Sequence, residues 1–213
     1  MINAQQARSR ATEGAILEAT ESLLAGRPFD DLSIAEIARE AGISVGGFYA
    51  RFERKEALLA ALHRRYQARR TRRLEAAFDA AESAEMSTPA RVELVVKAVV
   101  DLMSEERHVL RTMLLRYWSE PDAATPAFAE RLEELYERAR RLFLIDRAHM
   151  RVGNPDEAAR AAIGIVMGAC RDALVMKRES HPGHPRLERA AFTEYLTAAA
   201  LGVLGLTAEG RES

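Results

Sequence analysis

The chain has 213 residues and a mass of 23.7 kDa, with 48% hydrophobic and 30% charged side chains. That is a soluble globular balance, not that of collagen, a coiled coil or a disordered tract. Its 31 basic and 32 acidic side chains nearly cancel, so no global excess points to a nucleic acid or a membrane partner.

Alanine, leucine, glutamate and arginine dominate, Gly (12) and Pro (7) are few, and alternating β-branched runs are missing. Intrinsic propensity therefore predicts an all-α protein. The first helix is expected from about Arg10 to Ala25, with Ile16, Ala19, Leu23 and Leu24 on one face, ended by Gly26 and Pro28. A short second helix is read over Ser33 to Glu40, a third over Ser44 to Phe52, and a long fourth from about Arg54 to Ala80. A linker over 82–88 marks a domain boundary. Thr88-Pro89 reads as an N-cap followed by proline at the first helical position. Further helices are expected at Pro89 to Ser104, Glu105 to Ser119, Pro126 to Met150, Asn154 to about Arg178, and Arg186 to Leu206.

The most informative stretch runs from Ser33 to Phe52. Ser33 followed by Glu36 is a capping box. Ile34, Ile37 and Ala38 face inward, and Gly42 falls where a tight turn needs positive φ. Ser44 is placed to cap the next helix, and Ile43, Phe48 and Phe52 supply the contacts that fix it. Two short helices joined by a glycine turn form a helix-turn-helix, whose second helix fits a major groove about 12 Å wide. A helical hairpin that merely packs has the same local pattern.

The flanking residues favour the first of these. Ser33-Ile-Ala-Glu-Ile-Ala, Ala41-Gly-Ile-Ser, Phe48-Tyr-Ala-Arg-Phe52 and Lys55-Glu-Ala-Leu58 together resemble the N-terminal signature of the TetR/AcrR family of bacterial transcriptional regulators, over about residues 10 to 60. The resemblance implies a helix-turn-helix DNA-binding domain over 1–53, a connecting helix over 54–80, and a helical ligand-binding and dimerisation domain over 81–213. It implies a dimer that binds a palindromic DNA operator and a repressor released by a small-molecule effector. An activator, a ligand-independent regulator or a helical enzyme is the alternative. Two departures stand out: Val45 occupies a position that is often basic, and Gly46-Gly47 replaces a pair that often includes Thr or Ser. Arg51 also stands where His is common.

Val45, Gly46 and Gly47 open the recognition helix, where base edges are reached. Ser33, Ser44, Tyr49, Arg51 and Lys55 are expected to position the DNA backbone through phosphates. Arg8 and Arg10 read as a frayed tail rather than a minor-groove arm. Arg64, Arg65, Arg69, Arg70, Arg72 and Arg73 read as a solvated helix face, because all but three of the 31 basic residues are arginine.

In the second domain the resemblance implies an effector pocket, for which His108, Arg111, Met113, Tyr117, Trp118, Phe128, Tyr136, Phe143, Met167 and Cys170 are candidates, although for any one of them ordinary core is the better reading. Apolar and small residues on the last two helices, among them Ile163, Val166, Cys170, Leu174, Tyr195, Ala199 and Val203, match the four-helix dimer bundle that the resemblance implies. A purely internal core would need similar residues. Among enzyme signatures, no P-loop, dinucleotide fingerprint, His-Glu-x-x-His or nucleophile elbow occurs. No cofactor is expected. His181 and His184 sit in a proline-glycine turn without further ligands, so no metal is expected either. The lone Cys170 excludes an internal disulfide framework. With no apolar run near the roughly 18 residues that span a bilayer and no signal-like leader, the expected location is the cytoplasm.

Overall fold

A computed structural model describes residues 4–83, 85–119, 126–176 and 187–206, with side chains except at 4, 5, 117–119 and 126–129. Every regular element among them is helical. In order these are α1 (Ala4–Leu24), α2 (Ile34–Glu40), α3 (Val45–Tyr49), α4 (Ala57–Ala81), α5 (Thr88–Glu105), α6 (Arg107–Ser119), α7 (Pro126–Phe143), α8 (Pro155–Cys170) and α9 (Arg189–Val203). The 3-10 turns Phe29–Asp31 and Arg147–His149 and a π-helical turn Arg171–Met176 join them. No helix of the described residues is long and apolar enough to cross a membrane.

Two compact units form, one from residues 1–68 with 108–120, the other from 69–107 with 121–213. In the first, α1 packs on α2 and α2 on α3. Ile16, Leu24, Phe29, Leu32, Ile37, Ala38, Phe48, Phe52, Leu58 and Leu62 are buried. α1 starts earlier than its apolar pattern suggests, so Arg8 and Arg10 lie inside a helix and not in a tail.

In the second unit, α5 packs on α7, α8 and α9, and α8 packs on α7 and α9. Val92, Val95, Val96, Val99 and Val100 are all buried. Valine alone disfavours helix, but a spacing of three and four residues puts all five on one stripe, and burying that stripe outweighs the propensity. Asn154 caps α8 by accepting from the amides of Asp156 and Glu157 at 3.1 and 3.3 Å.

Several expected boundaries move. Ser87, not Thr88, caps α5; Thr88 is buried, and its hydroxyl donates to the Asp146 carboxylate. That tie helps explain why α7 stops at Phe143 rather than Met150, because the chain turns to bring Asp146 to Thr88 and then buries Met150. The regular α-helix of α8 ends at Cys170 and passes into the wider π turn. After buried Cys170 the next buried residue is Val175, five positions on, the spacing of that wider turn.

The arginines of α4 are not a solvated face. Arg65 reaches the Glu18 carboxylate at 2.9 Å and the Gly14 carbonyl at 3.2 Å. Arg69 pairs with Glu106 at 2.7 Å and Arg73 with Glu105 at 2.5 Å, while Arg70 is buried. Only Arg64 and Arg72 of the run are exposed.

Candidate nucleic-acid interface

The short helices are shaped by their ends. The Ser33 hydroxyl accepts from the Glu36 amide at 3.2 Å and donates to the Glu36 carboxylate at 2.7 Å, and that carboxylate also accepts from the Ser33 amide at 3.0 Å. Arg27 adds a 2.8 Å ion pair. The Ser33 hydroxyl, the Ser33 amide and Arg27 together hold the Glu36 carboxyl down to about 2, because each favours its ionised form. α2 ends at Glu40 and is closed two residues on by Gly42, whose φ of +68° lets the Ile43 amide reach back to the Ala38 carbonyl at 2.9 Å, a left-handed helix stop.

Ser44 then caps α3 by accepting from the Gly47 amide at 3.0 Å. Phe48, fully buried, anchors the five-residue helix, with the Phe52 ring 5.6 Å and the Tyr49 ring 5.7 Å from its own, the latter edge-on. Phe48 to Ala would remove about 3–5 kcal/mol, enough to release a helix this short.

With Phe48 turned inward, the opposite side of α3 is bare. Val45 is 42% and Tyr49 53% exposed, Ser44, Gly46 and Arg51 are exposed, and Gly47 is partly covered. Arg51 donates to the Ala50 carbonyl at 3.1 Å and otherwise faces outward. Two predicted residues are occupied internally. Ser33 spends its proton on Glu36, and the Lys55 ammonium donates to the carbonyls of Phe29, Asp30 and Leu32 at 3.2, 2.9 and 2.9 Å. Arg39, in the last turn of α2, and Arg54, just before α4, are also exposed, and nothing in their spacing separates a contact from a surface charge.

The effector candidates divide between the units. His108, Arg111 and Met113 belong to the first unit, with Arg111 exposed. Tyr136, Phe143, Met167 and Cys170 belong to the second. Phe143 and Cys170 are fully buried, and burial pushes the Cys170 thiol up to about 12 and raises the Tyr136 hydroxyl. The side chains of Tyr117, Trp118 and Phe128, and all of His181 and His184, lie outside the described residues.

The dimer candidates also separate. Ile163, Val166 and Cys170 are buried within the single chain, so they serve its own core. Leu174 and Val203 are partly covered, whereas Ala199 is exposed and Tyr195 is 61% exposed. Rotated from the buried stripe of α8, Ala161, Gly164 and Ile165 are exposed, and nothing lies within 4 Å of a Cβ built on Gly164 or Gly168. On α9, Ala198, Ala199 and Gly202 are exposed beside Tyr195. The small, apolar, uncovered faces of both helices thus lie beside the stripe of Ile163, Val166 and Cys170 and around Tyr195 and Ala199.

Comparison with known proteins agrees with this geometry. Residues 16–62 match the model for bacterial regulatory proteins of the tetR family. No curated protein matches the chain. Among solved structures, a bacterial regulatory protein in the tetR family from Rhodococcus RHA1 superimposes with a TM-score of 0.65 at 19% identity, covering 92% of this chain and 98% of that one. NalD, the secondary repressor of the MexAB-OprM multidrug efflux pump in Pseudomonas aeruginosa, gives 0.57 at 23% identity, covering 95% and 99%. AibR, solved in complex with isovaleryl coenzyme A and operator DNA, gives 0.61 at 15% identity, covering 92% and 100%. At these identities the superpositions establish the fold. Residues 16–62 thus match the helix-turn-helix model of the tetR family of bacterial regulatory proteins, and the chain shares its fold along nine-tenths of its length with solved structures of that family.

Proposed function

We propose that the chain is a dimeric, cytoplasmic transcription regulator that binds a palindromic DNA operator through α3 and is released from it by a small organic effector, acting as a repressor. The observation that carries this reading is the split character of α3: Phe48 is buried to fix the helix, while Val45, Gly46 and Tyr49 on its other side are uncovered. A helix held rigidly by one face and bare on the other suits insertion into a major groove. Val45 reads a thymine methyl, and Ser44, Tyr49 and Arg51 position the backbone through phosphates.

Five residues of helix give little sequence discrimination alone. Two copies about 34 Å apart on one duplex multiply it, which favours a twofold dimer. The uncovered small-residue faces of α8 and α9 support that dimer. Effector release needs a coupling of about 1–3 kcal/mol, a change of about 5- to 150-fold in operator affinity. AibR, crystallised with both a coenzyme A thioester and operator DNA, is the relative that favours an organic effector here. The candidates His108, Arg111, Met113, Tyr136 and Met167 are the side chains to vary in seeking its site.

A gel shift on the DNA upstream of the neighbouring gene, with and without candidate compounds, tests this. Retardation at micromolar protein, relieved by one compound, is expected. Retardation that no compound relieves would turn the reading to a ligand-independent regulator, and none at any salt would end it.

A further inference from the structure

The geometry points to Lys55 as a positioning residue that locks the helix-turn-helix shut, rather than as a cation offered to DNA. A lysine ammonium has three protons to donate. Here all three find acceptors in one short segment, the carbonyls of Phe29, Asp30 and Leu32 at 3.2, 2.9 and 2.9 Å. The ammonium also sits 5.1 Å from the centre of the buried Phe29 ring, a favourable cation–π distance. A phosphate would have to displace one of these bonds.

The two ends of the contact explain its effect. Leu32 immediately precedes Ser33, which caps α2, and Lys55 follows α3 and precedes α4. The ammonium therefore joins the residues just before and just after the helix-turn-helix, closing a loop of which α2 and α3 are nearly the whole content. Each carbonyl is aimed at a single nitrogen, which suits a point-like ammonium. A planar guanidinium, whose donors diverge, does not reproduce that convergence. Lys55 thus fixes where α3 starts and stops relative to α1 and α4, and supports DNA binding through α3 without touching DNA. Its consequence for DNA binding rests on the proposed role of α3; the closure itself does not.

Two variants of the full chain test this. Lys55→Met keeps the apolar stem and removes the donors and charge, and Lys55→Arg keeps the charge. Amide hydrogen exchange is measured at Asp31 and Leu32, whose amides bond to the Pro28 and Phe29 carbonyls in the clamped turn. Affinity for a mixed-sequence DNA duplex is measured across a range of salt. The clamp predicts exchange faster by about tenfold or more in both variants, weaker DNA binding in both, and an unchanged slope of log affinity against log salt in Lys55→Met. A phosphate contact predicts the opposite: unchanged exchange, a slope shallower by about 1 in Lys55→Met, and wild-type behaviour in Lys55→Arg. That result would overturn the inference. Should Lys55→Met not fold, Lys55→Arg decides alone, since wild-type exchange and affinity in it refute the clamp. If the wild-type chain binds no duplex at low salt, the role of α3 fails, while the exchange measurement still judges the closure.

Discussion

Replacing Gly46 by Ala should make the protein more stable and a poorer binder of DNA. Gly46 is helical and is not among the described glycines with positive φ, which are Gly42 and Gly205. A Cβ built on it meets only the Ser44 hydroxyl, at 3.8 Å. Neither backbone conformation nor packing therefore asks for glycine there. Alanine should gain about 0.5–1 kcal/mol from the lower entropy of the unfolded chain, a rise in melting temperature of about 1–4 °C for a chain of this size. The added methyl points to the bare side of α3, where the proposed major-groove contact requires close approach, so operator affinity should fall. Gly42 is the control within the same motif. Its φ of +68° makes alanine cost about 1–2 kcal/mol although nothing lies within 4 Å of its Cβ. Thermal unfolding of the two variants, with anisotropy titration of a labelled operator, reads both signs. A Gly46→Ala protein that melts lower, or that is more stable and binds equally well, would refute the reasoning.

The remaining expectations concern single surfaces. Glu36 has its carboxyl at about 2 against an ordinary value of 4.5, so its contribution is complete above about pH 4.5 and is lost as pH falls through about 2; Glu36→Gln should flatten the pH dependence of urea unfolding across that window, and an unchanged profile would contradict the capping geometry. Ile165→Arg on the uncovered face of α8 should shift sedimentation toward monomer with an unchanged circular dichroism spectrum, whereas Val166→Arg, buried one residue on, should unfold the second unit; the same outcome for both would show that the face is wrongly placed. Tyr49→Ala should weaken binding to all duplexes about equally, while Val45→Ala should alter the preference among operators by about 1–3 kcal/mol per affected base pair; identical binding profiles would remove the division of roles.

What the sequence reveals about this fold is mainly local. Ser33 with Glu36, Gly42, Ser44 and Asn154 each act on amides or dihedrals within a few residues, and each is found where its chemistry places it. Contacts between distant segments are not written in spacing. Lys55 meets carbonyls more than twenty residues away, so its pattern reads as a surface cation. The α4 arginines look like a solvated stripe until Glu18, Glu105 and Glu106 arrive from other helices. On α8, alanine and glycine surround the whole helix, and apolar periodicity alone does not say which of two neighbouring stripes is buried. The stripe of Ile163, Val166 and Cys170 is buried within the chain, and Ala161, Gly164 and Ile165 are left exposed. The end of α7 was also illegible, because the Thr88–Asp146 bond that accompanies it joins two segments 58 positions apart.

The most direct measurement is the affinity of the intact chain for duplex DNA as salt is raised. A regulator that grips phosphates on both half-sites loses affinity linearly in log salt, with a slope of about −0.9 for each phosphate neutralised, and Tyr49→Ala lowers that affinity at every salt. Binding that does not respond to salt, or that Tyr49→Ala leaves untouched, would contradict the assignment of α3 as the surface that meets DNA.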